Sequence, residues 1–240
     1  MVAHPGRFRR LAVAVAVATS TAYLGACTST EPTPTTTTTT VSPAQRLGVI
    51  KATVDKATYV QMRLTSRDVA DDAQGVLAAT GVGAHPPAFK GVVTARVKGI
   101  QADIDIIAVG GKVYAKLPLL PGMREVSPKD LGAPDPATLF SPDKGITSLL
   151  TATKSPAFGE PTRSGSEVLA TIHGTLAGQR IVDIFWTGDP AADFGVTYGY
   201  VEDSGELRTV ELTGPFFGST ISSYQLTLDQ YGQKVDIVAP

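Results

Sequence analysis

The stretch FKGVVTARVKGIQADIDIIAVGGKVYAKL, residues 89–117, decides the fold class. Its apolar residues recur at every second position, and two glycine turns interrupt them. Val93, Ala95 and Val97 share one face while Thr94 and Arg96 share the other, which is the period of a half-buried strand. A turn at Lys98-Gly99 reverses the chain, after which Ile104, Ile106 and Ala108 alternate with Asp103 and Asp105. Gly110-Gly111 reverses it again into Val113, Ala115 and Leu117. Three antiparallel strands result, each with one apolar and one wet face. If the first turn is tight, Arg96 is expected to lie across from Asp103 as a cross-strand charge pair.

The same alternation recurs on both sides of this stretch. Val60, Met62 and Leu64 alternate with polar residues, and GVLAATG (75–81) is a weaker strand pattern. Strands are expected near 156–163 and 167–174, the second with Val168, Ala170 and Ile172 on one face. Phe194, Val196, Tyr198 and Tyr200 form another set, followed by Val210 and Leu212, then Tyr224, Leu226 and Leu228. Three-and-four spacing appears first at 44–58, where Leu47, Ile50 and Val54 form a narrow helical stripe. Ser141-Pro142-Asp143 reads as a helix start ahead of Ile146, Leu149 and Leu150. A short helix at 177–186 carries Ile181 and Ile184. Residues 118–136 hold five prolines and read as an irregular loop. About eight to ten strands in one antiparallel sheet, with three or four helices on one side, make an α+β domain.

The amino-terminal region is of a different kind. Arg7, Arg9 and Arg10 precede the apolar run Leu11–Ala18, a charged n-region followed by a signal h-region. Leu24-Gly25-Ala26-Cys27 resembles the lipobox of bacterial lipoproteins, in which the thiol is acylated and the chain is cut in front of it. The alternatives are an ordinary secretory signal with a chance cysteine and an uncleaved anchor helix; n-region, h-region, small residues and lone cysteine agree on the lipobox. Residues 1–26 are therefore read as a signal peptide and Cys27 as the lipidation site, with residues 27–43 a Thr/Pro-rich stalk. Residues 44–240 form a single domain. One acyl chain holds a membrane weakly, and two or three hold it durably. With no second cysteine, the fold cannot rely on an internal disulfide.

The chemistry-bearing residues are few. A net charge of −1, with no basic run, gives no footprint for nucleic acid. His4 falls in the signal peptide, which leaves His85 and His173 widely separated, and no metal site or cofactor is expected. Asp103 and Asp105 share a strand face and read as a solvated surface beside Arg96. No nucleophile elbow, P-loop or dinucleotide fingerprint is present, so no catalytic residue is assigned and the chain is read as a non-enzyme. Ala95, Ala108, Ala115 and Ala170 make the inward face small, which is compatible with an internal cavity and equally with dense packing.

GGKVYAKL (110–117), DPATLFSPDKGITSLLTAT (135–153) and the terminal YQLTLDQYGQKVDIVAP (224–240), in that order behind a lipobox, resemble the mycobacterial LppX/LprA/LprF/LprG lipoproteins. Tyr231-Gly232 stands where those proteins carry Trp-Gly. The resemblance implies a strongly curved antiparallel half-barrel with helices on its concave face, enclosing an apolar cavity for a multi-acyl lipid or lipoglycan. On the sheet side the lining would be Val93, Ala95, Val97, Ile104, Ile106, Val113 and Ala115. Leu139, Ile146, Leu149, Leu150, Ile181 and Ile184 would close it, with 118–136 as a gate. The implied role is carriage of lipid from the cytoplasmic membrane towards the outer envelope. The protein would be held by Cys27 on the outer face of that membrane, with an envelope transporter as a candidate partner. The competing reading is a tethered, non-catalytic assembly module with a closed core. An enzyme acting on an envelope ester is a third.

Overall fold

A computed structural model describes residues 41–117 and 120–240. The expected signal peptide, Cys27 and the stalk up to residue 40 lie outside the described residues. Helix α1 (Pro43–Lys56) opens with a capping box. The Ser42 hydroxyl accepts from the Gln45 amide at 3.3 Å, and the Gln45 side-chain oxygen accepts from the Ser42 amide at 2.9 Å. Pro43 at the first helical position has no amide hydrogen left to satisfy.

Strands β1 (Tyr59–Arg67), β2 (Gly75–Ala84), β3 (Ala88–Val97), β4 (Ile100–Val109), β5 (Lys112–Lys116) and β6 (Arg124–Val126) follow as a meander. Two 3-10 turns, Pro128–Leu131 and Pro136–Phe140, lead to α2 (Ser148–Ala152). The second half runs β7 (Lys154–Ser164), β8 (Glu167–Ala177), α3 (Gly178–Phe185), β9 (Asp193–Tyr200), β10 (Leu207–Phe217) and β11 (Thr220–Asp229). The strands form one antiparallel sheet in the order β6-β5-β4-β3-β2-β1-β11-β10-β9-β8-β7. Only the β1–β11 pairing joins the two halves, setting Met62 opposite Leu228 and Leu64 opposite Leu226. The edges β6 and β7 do not meet, so the sheet is an open, curved half-barrel and not a closed barrel.

Leu47, Ile50 and Val54 of α1, Leu149 and Leu150 of α2, and Ile181 and Ile184 of α3 are buried in one core with the inward strand residues. Those include Met62, Leu226, Leu212, Tyr198 and Ile172. The helices therefore cover the concave face, and the fold class read from the alternation is the one observed.

Several local expectations need correction. The tight turn at Lys98-Gly99, with both residues at positive φ, pairs Arg96 with Gln101 and Thr94 with Asp103. Thr94 donates to Asp103 at 2.6 Å, while Arg96 donates to Gln101 at 3.1 Å and to the Asp71 carbonyl at 2.6 Å. The expected Arg96–Asp103 pair is two residues out of register. The Pro-rich 118–136 segment is not wholly irregular, for it holds β6 and a 3-10 turn. A three-residue strand is too short to show a period, which is why the strand count reaches eleven. The helix expected from Ser141 begins at Ser148, because the Ser141 amide instead closes the preceding 3-10 turn onto Thr138. Val168 is exposed at the start of β8, although its inward neighbour Ile172 is buried.

Phe140 locks the segment after β6 to the sheet. A Cβ on Gly83 would fall inside the Phe140 ring, and that ring stacks on Phe89 at 6.4 Å. The missing side chain at Gly83 is therefore the socket for Phe140. Phe140→Ala is expected to lower unfolding free energy by about 3–5 kcal/mol, read from the urea midpoint at unchanged slope.

Candidate functional site

The sheet residues that α1, α2 and α3 do not cover face the 120–140 segment across a cavity of about 60 Å³. Its floor is Met62 and Leu64 of β1, Val76 and Ala79 of β2, Phe89 and Val93 of β3, Ile106 of β4 and Val113 of β5. Its roof is Pro128, Leu131, Ala133, Pro134, Pro136 and Leu139. Phe185 and Tyr224 form one end wall. A second void of about 10 Å³, lined by Phe140, Ile146, Leu226 and Leu228, shares Met62, Leu64, Leu139 and Phe185 with the first.

Every lining side chain is apolar except that of Tyr224. Its hydroxyl donates to the Val76 carbonyl beside the bulge between Val76 and Ala78, so only the ring is offered to the cavity. Burial raises the Tyr224 hydroxyl pKa above its ordinary value, keeping it neutral. Deeper in the core, Tyr198 is likewise raised by burial, and its hydroxyl meets Thr153 at 2.9 Å. The cavity thus presents no charge and no free hydrogen-bonding group among its lining side chains. It can exclude water and bury hydrocarbon.

Of the residues expected to line a cavity, Val93, Ile106, Val113 and Leu139 do so, and Ile146 borders the smaller void. Ala95, Ala115, Leu149, Leu150, Ile181 and Ile184 are buried in the packed core without lining either space. Ile104 is only partly buried against that core. Val97 is half-exposed at the β3–β4 turn, where it lines an outer groove with Leu131 and not the cavity. Met62, Leu64 and Tyr224 belong to inward strand sets in the sequence, but nothing in the alternation places them in the cavity and not in the core; Ala79 lies in the weaker 75–81 pattern, from which no inward face is read. Among the described residues no group of three or more His, Cys, Asp or Glu could hold a metal ion. His85 lies at 2.6 Å from the Ala57 carbonyl, and His173 is exposed on the outer face of β8.

The roof is braced by Asp135, whose carboxylate caps the Pro136–Phe140 turn by accepting from the Ala137 amide at 2.9 Å. Burial raises its pKa, and that amide only partly offsets the rise.

The family profile described as LppX_LprAFG lipoprotein matches residues 28–237. Among solved structures, LprF from Mycobacterium bovis is similar with a TM-score of 0.68 at 14% identity. The likeness covers 82% of this chain and 96% of that one. The Mycobacterium tuberculosis lipoprotein LppX gives 0.59 at 18% identity, covering 82% and 98%. At these identities the likeness concerns the fold. A comparison with curated proteins finds no sequence match.

A raised carboxyl pKa in the folded state means that the folded form holds the Asp135 proton more tightly than the unfolded one does. Native stability from this group is therefore greatest below the unfolded carboxyl value of 3.8 and falls as pH rises through the raised value. Asp135→Asn keeps the cap and removes the buried charge. It is expected to be at least as stable as the parent at pH 7, with its advantage shrinking towards pH 3 in parallel urea titrations.

Proposed function

The chain belongs to the LppX_LprAFG lipoprotein family, and from that premise we propose that it is a non-catalytic lipid carrier of the cell envelope. The cargo is an acylated lipid or lipoglycan, taken from the cytoplasmic membrane towards the outer envelope. Cys27 carries the acyl anchor that holds the protein on the outer face of that membrane. An envelope transporter is a candidate partner for loading or release.

One observation supports this reading above the others. The side chains that line the cavity are apolar, the Tyr224 hydroxyl being bonded to the Val76 carbonyl, and its roof rests on two short 3-10 turns that each begin at a proline. Each methylene moved from water to such a site gains about 0.8 kcal/mol, so chain length and number would set affinity more than headgroup chemistry. The roof must move for that to happen. An apolar cavity of roughly 150 Å³ accepts one benzene, whereas the space here is about 60 Å³. Loading therefore requires displacement of the 120–140 segment. That segment is tied to the sheet by the short β5–β6 pairing and the Phe140 socket.

The small volume also favours a second reading, a tethered assembly module whose core simply packs. Native mass spectrometry of the mature chain from a mycobacterial host separates the two. A carrier is expected to show a stoichiometric adduct of multi-acyl lipid, and a module a bare mass. Two substitutions locate the adduct. Ala79→Leu adds three carbons to the floor and should keep the fold while cutting uptake of a fluorescent fatty acid severalfold. Val93→Trp should abolish that uptake. Unimpaired uptake by both folded variants would rule out this cavity as the binding site.

A further inference from the structure

The end of the sheet next to the cavity is built unlike the rest of the surface. A groove of about 360 Å³ opens there between the β3–β4 turn, the start of β2 and the end of α3. It shares Val76, Leu131 and Phe185 with the apolar cavity, so these three side chains border both spaces. Val97 and Trp186 line the groove and are 44% and 46% exposed. Ile100, the cross-strand partner of Val97, is 73% exposed. Beyond the β1–β2 loop, Ile221 near the start of β11 is 57% exposed. Among the described residues the other exposed large apolar side chains are dispersed: Val41 ahead of α1, Val49 on α1, Val92 on β3, Leu120 before β6, Phe158 on β7, Val168 at the opposite end of β8 and Val238 in the tail. Single exposed residues of that kind are ordinary.

Trp186 supplies a second, independent observation. It is the only tryptophan in the chain, and it caps α3 in the left-handed conformation at φ 57°. A bulky residue at positive φ is unfavourable and persists where something else holds it. Here the indole is turned out to the groove instead of into the core, although Phe185 beside it packs on Tyr224 at 5.6 Å.

We infer that this rim is a membrane-docking face, with Trp186, Val97, Ile100 and Ile221 seated in the interfacial layer of a phospholipid bilayer and the groove opening onto the leaflet. Tryptophan favours the bilayer interface because its ring is apolar and its N–H can stay hydrated. No described helix is long and apolar enough to cross a membrane, so contact would be superficial. Charge does not drive it. Arg96 is committed to the carbonyls of the β1–β2 loop, and Arg67 donates to Gln225; the loop's own Asp68, Asp71 and Asp72 offset the positive charge of Arg67, Arg96 and Lys98 at this end. The tether permits the orientation: fifteen residues from Cys27 to Ser42 reach at most about 50 Å, longer than a ten-residue strand of about 33 Å. Docking rests on the carrier reading for what would pass through the groove.

The test uses the mature chain, residues 27–240, with Cys27→Ser to remove the acyl anchor. Phosphatidylcholine vesicles, with and without phosphatidylglycerol, are added while Trp186 emission is followed. A blue shift, protection from acrylamide quenching and little dependence on salt or phosphatidylglycerol are expected. Ile100→Asp combined with Ile221→Asp should weaken vesicle co-sedimentation at least about tenfold. The same variant should keep its melting temperature and its uptake of fluorescent fatty acid from solution. Unshifted Trp186 emission, or a shift that the double variant retains, overturns the docking face. Binding that requires phosphatidylglycerol and vanishes in salt overturns it in favour of a charge-driven contact. Loss of fatty-acid uptake in the parent chain is a separate failure, that of the carrier reading.

Discussion

An open sheet of eleven strands has one apolar face and no partner sheet to bury it, so the rest of the molecule depends on what covers that concave surface. Closing the sheet into a barrel would remove the need. The edges β6 and β7 stay apart, however, and the cover has to come from the connections. α1, α2 and α3 supply it over the β7–β11 half, where large inward residues meet them. Phe216 lies at 4.7 Å from Tyr224 and 4.8 Å from Phe194, in edge-to-face contacts that fill the space between strands and helices. The 120–140 segment supplies it over β2–β5, where the inward residues include Ala79, Ala95, Ala108 and Ala115.

The two halves therefore bury apolar surface in different ways. On the aromatic side, side chains from both layers interdigitate, and that region carries most of the large, fully buried residues. On the small-residue side, the roof meets the floor through prolines and a few leucines, and the fit leaves a gap. Prolines restrict the roof backbone, so the roof cannot collapse to fill every hollow as a helix face with long side chains would. Phe140 in its Gly83 socket is where the roof is held most firmly.

Polar atoms are kept away from that gap by local bonds. Tyr224 reaches back to the Val76 carbonyl, Tyr198 is bonded to Thr153, and Tyr231 donates to the Leu207 carbonyl at 2.6 Å. Each hydroxyl is satisfied within the protein, so the rings act as hydrocarbon while their burial incurs little unpaired-dipole cost. The neighbouring groove, by contrast, is lined by Arg96, Lys98 and Gln74 as well as by Trp186 and Val97. The chemistry is thereby divided between a carbon interior and an amphipathic rim.

The period-two alternation of residues 89–117 determined the antiparallel strands, their turns and which side chains face inward, because strand geometry puts successive residues on opposite faces. The short helical stripes were legible for the same reason, with Leu47, Ile50 and Val54 all buried where the spacing put them. Register was readable only as far as turn length could be counted, and the Arg96 pairing slipped by two residues. The sequence did not separate packed core from cavity wall: Ala95 and Val93 look alike in pattern, yet only Val93 borders the space. That distinction depends on what stands opposite, and here it is a proline-rich segment with no period of its own. Likewise the β1–β11 pairing that joins the two halves, and the meeting of Trp186 with the β3–β4 turn, are contacts between residues far apart in the chain. Local spacing carries no information about such contacts, and only the folded packing decided them.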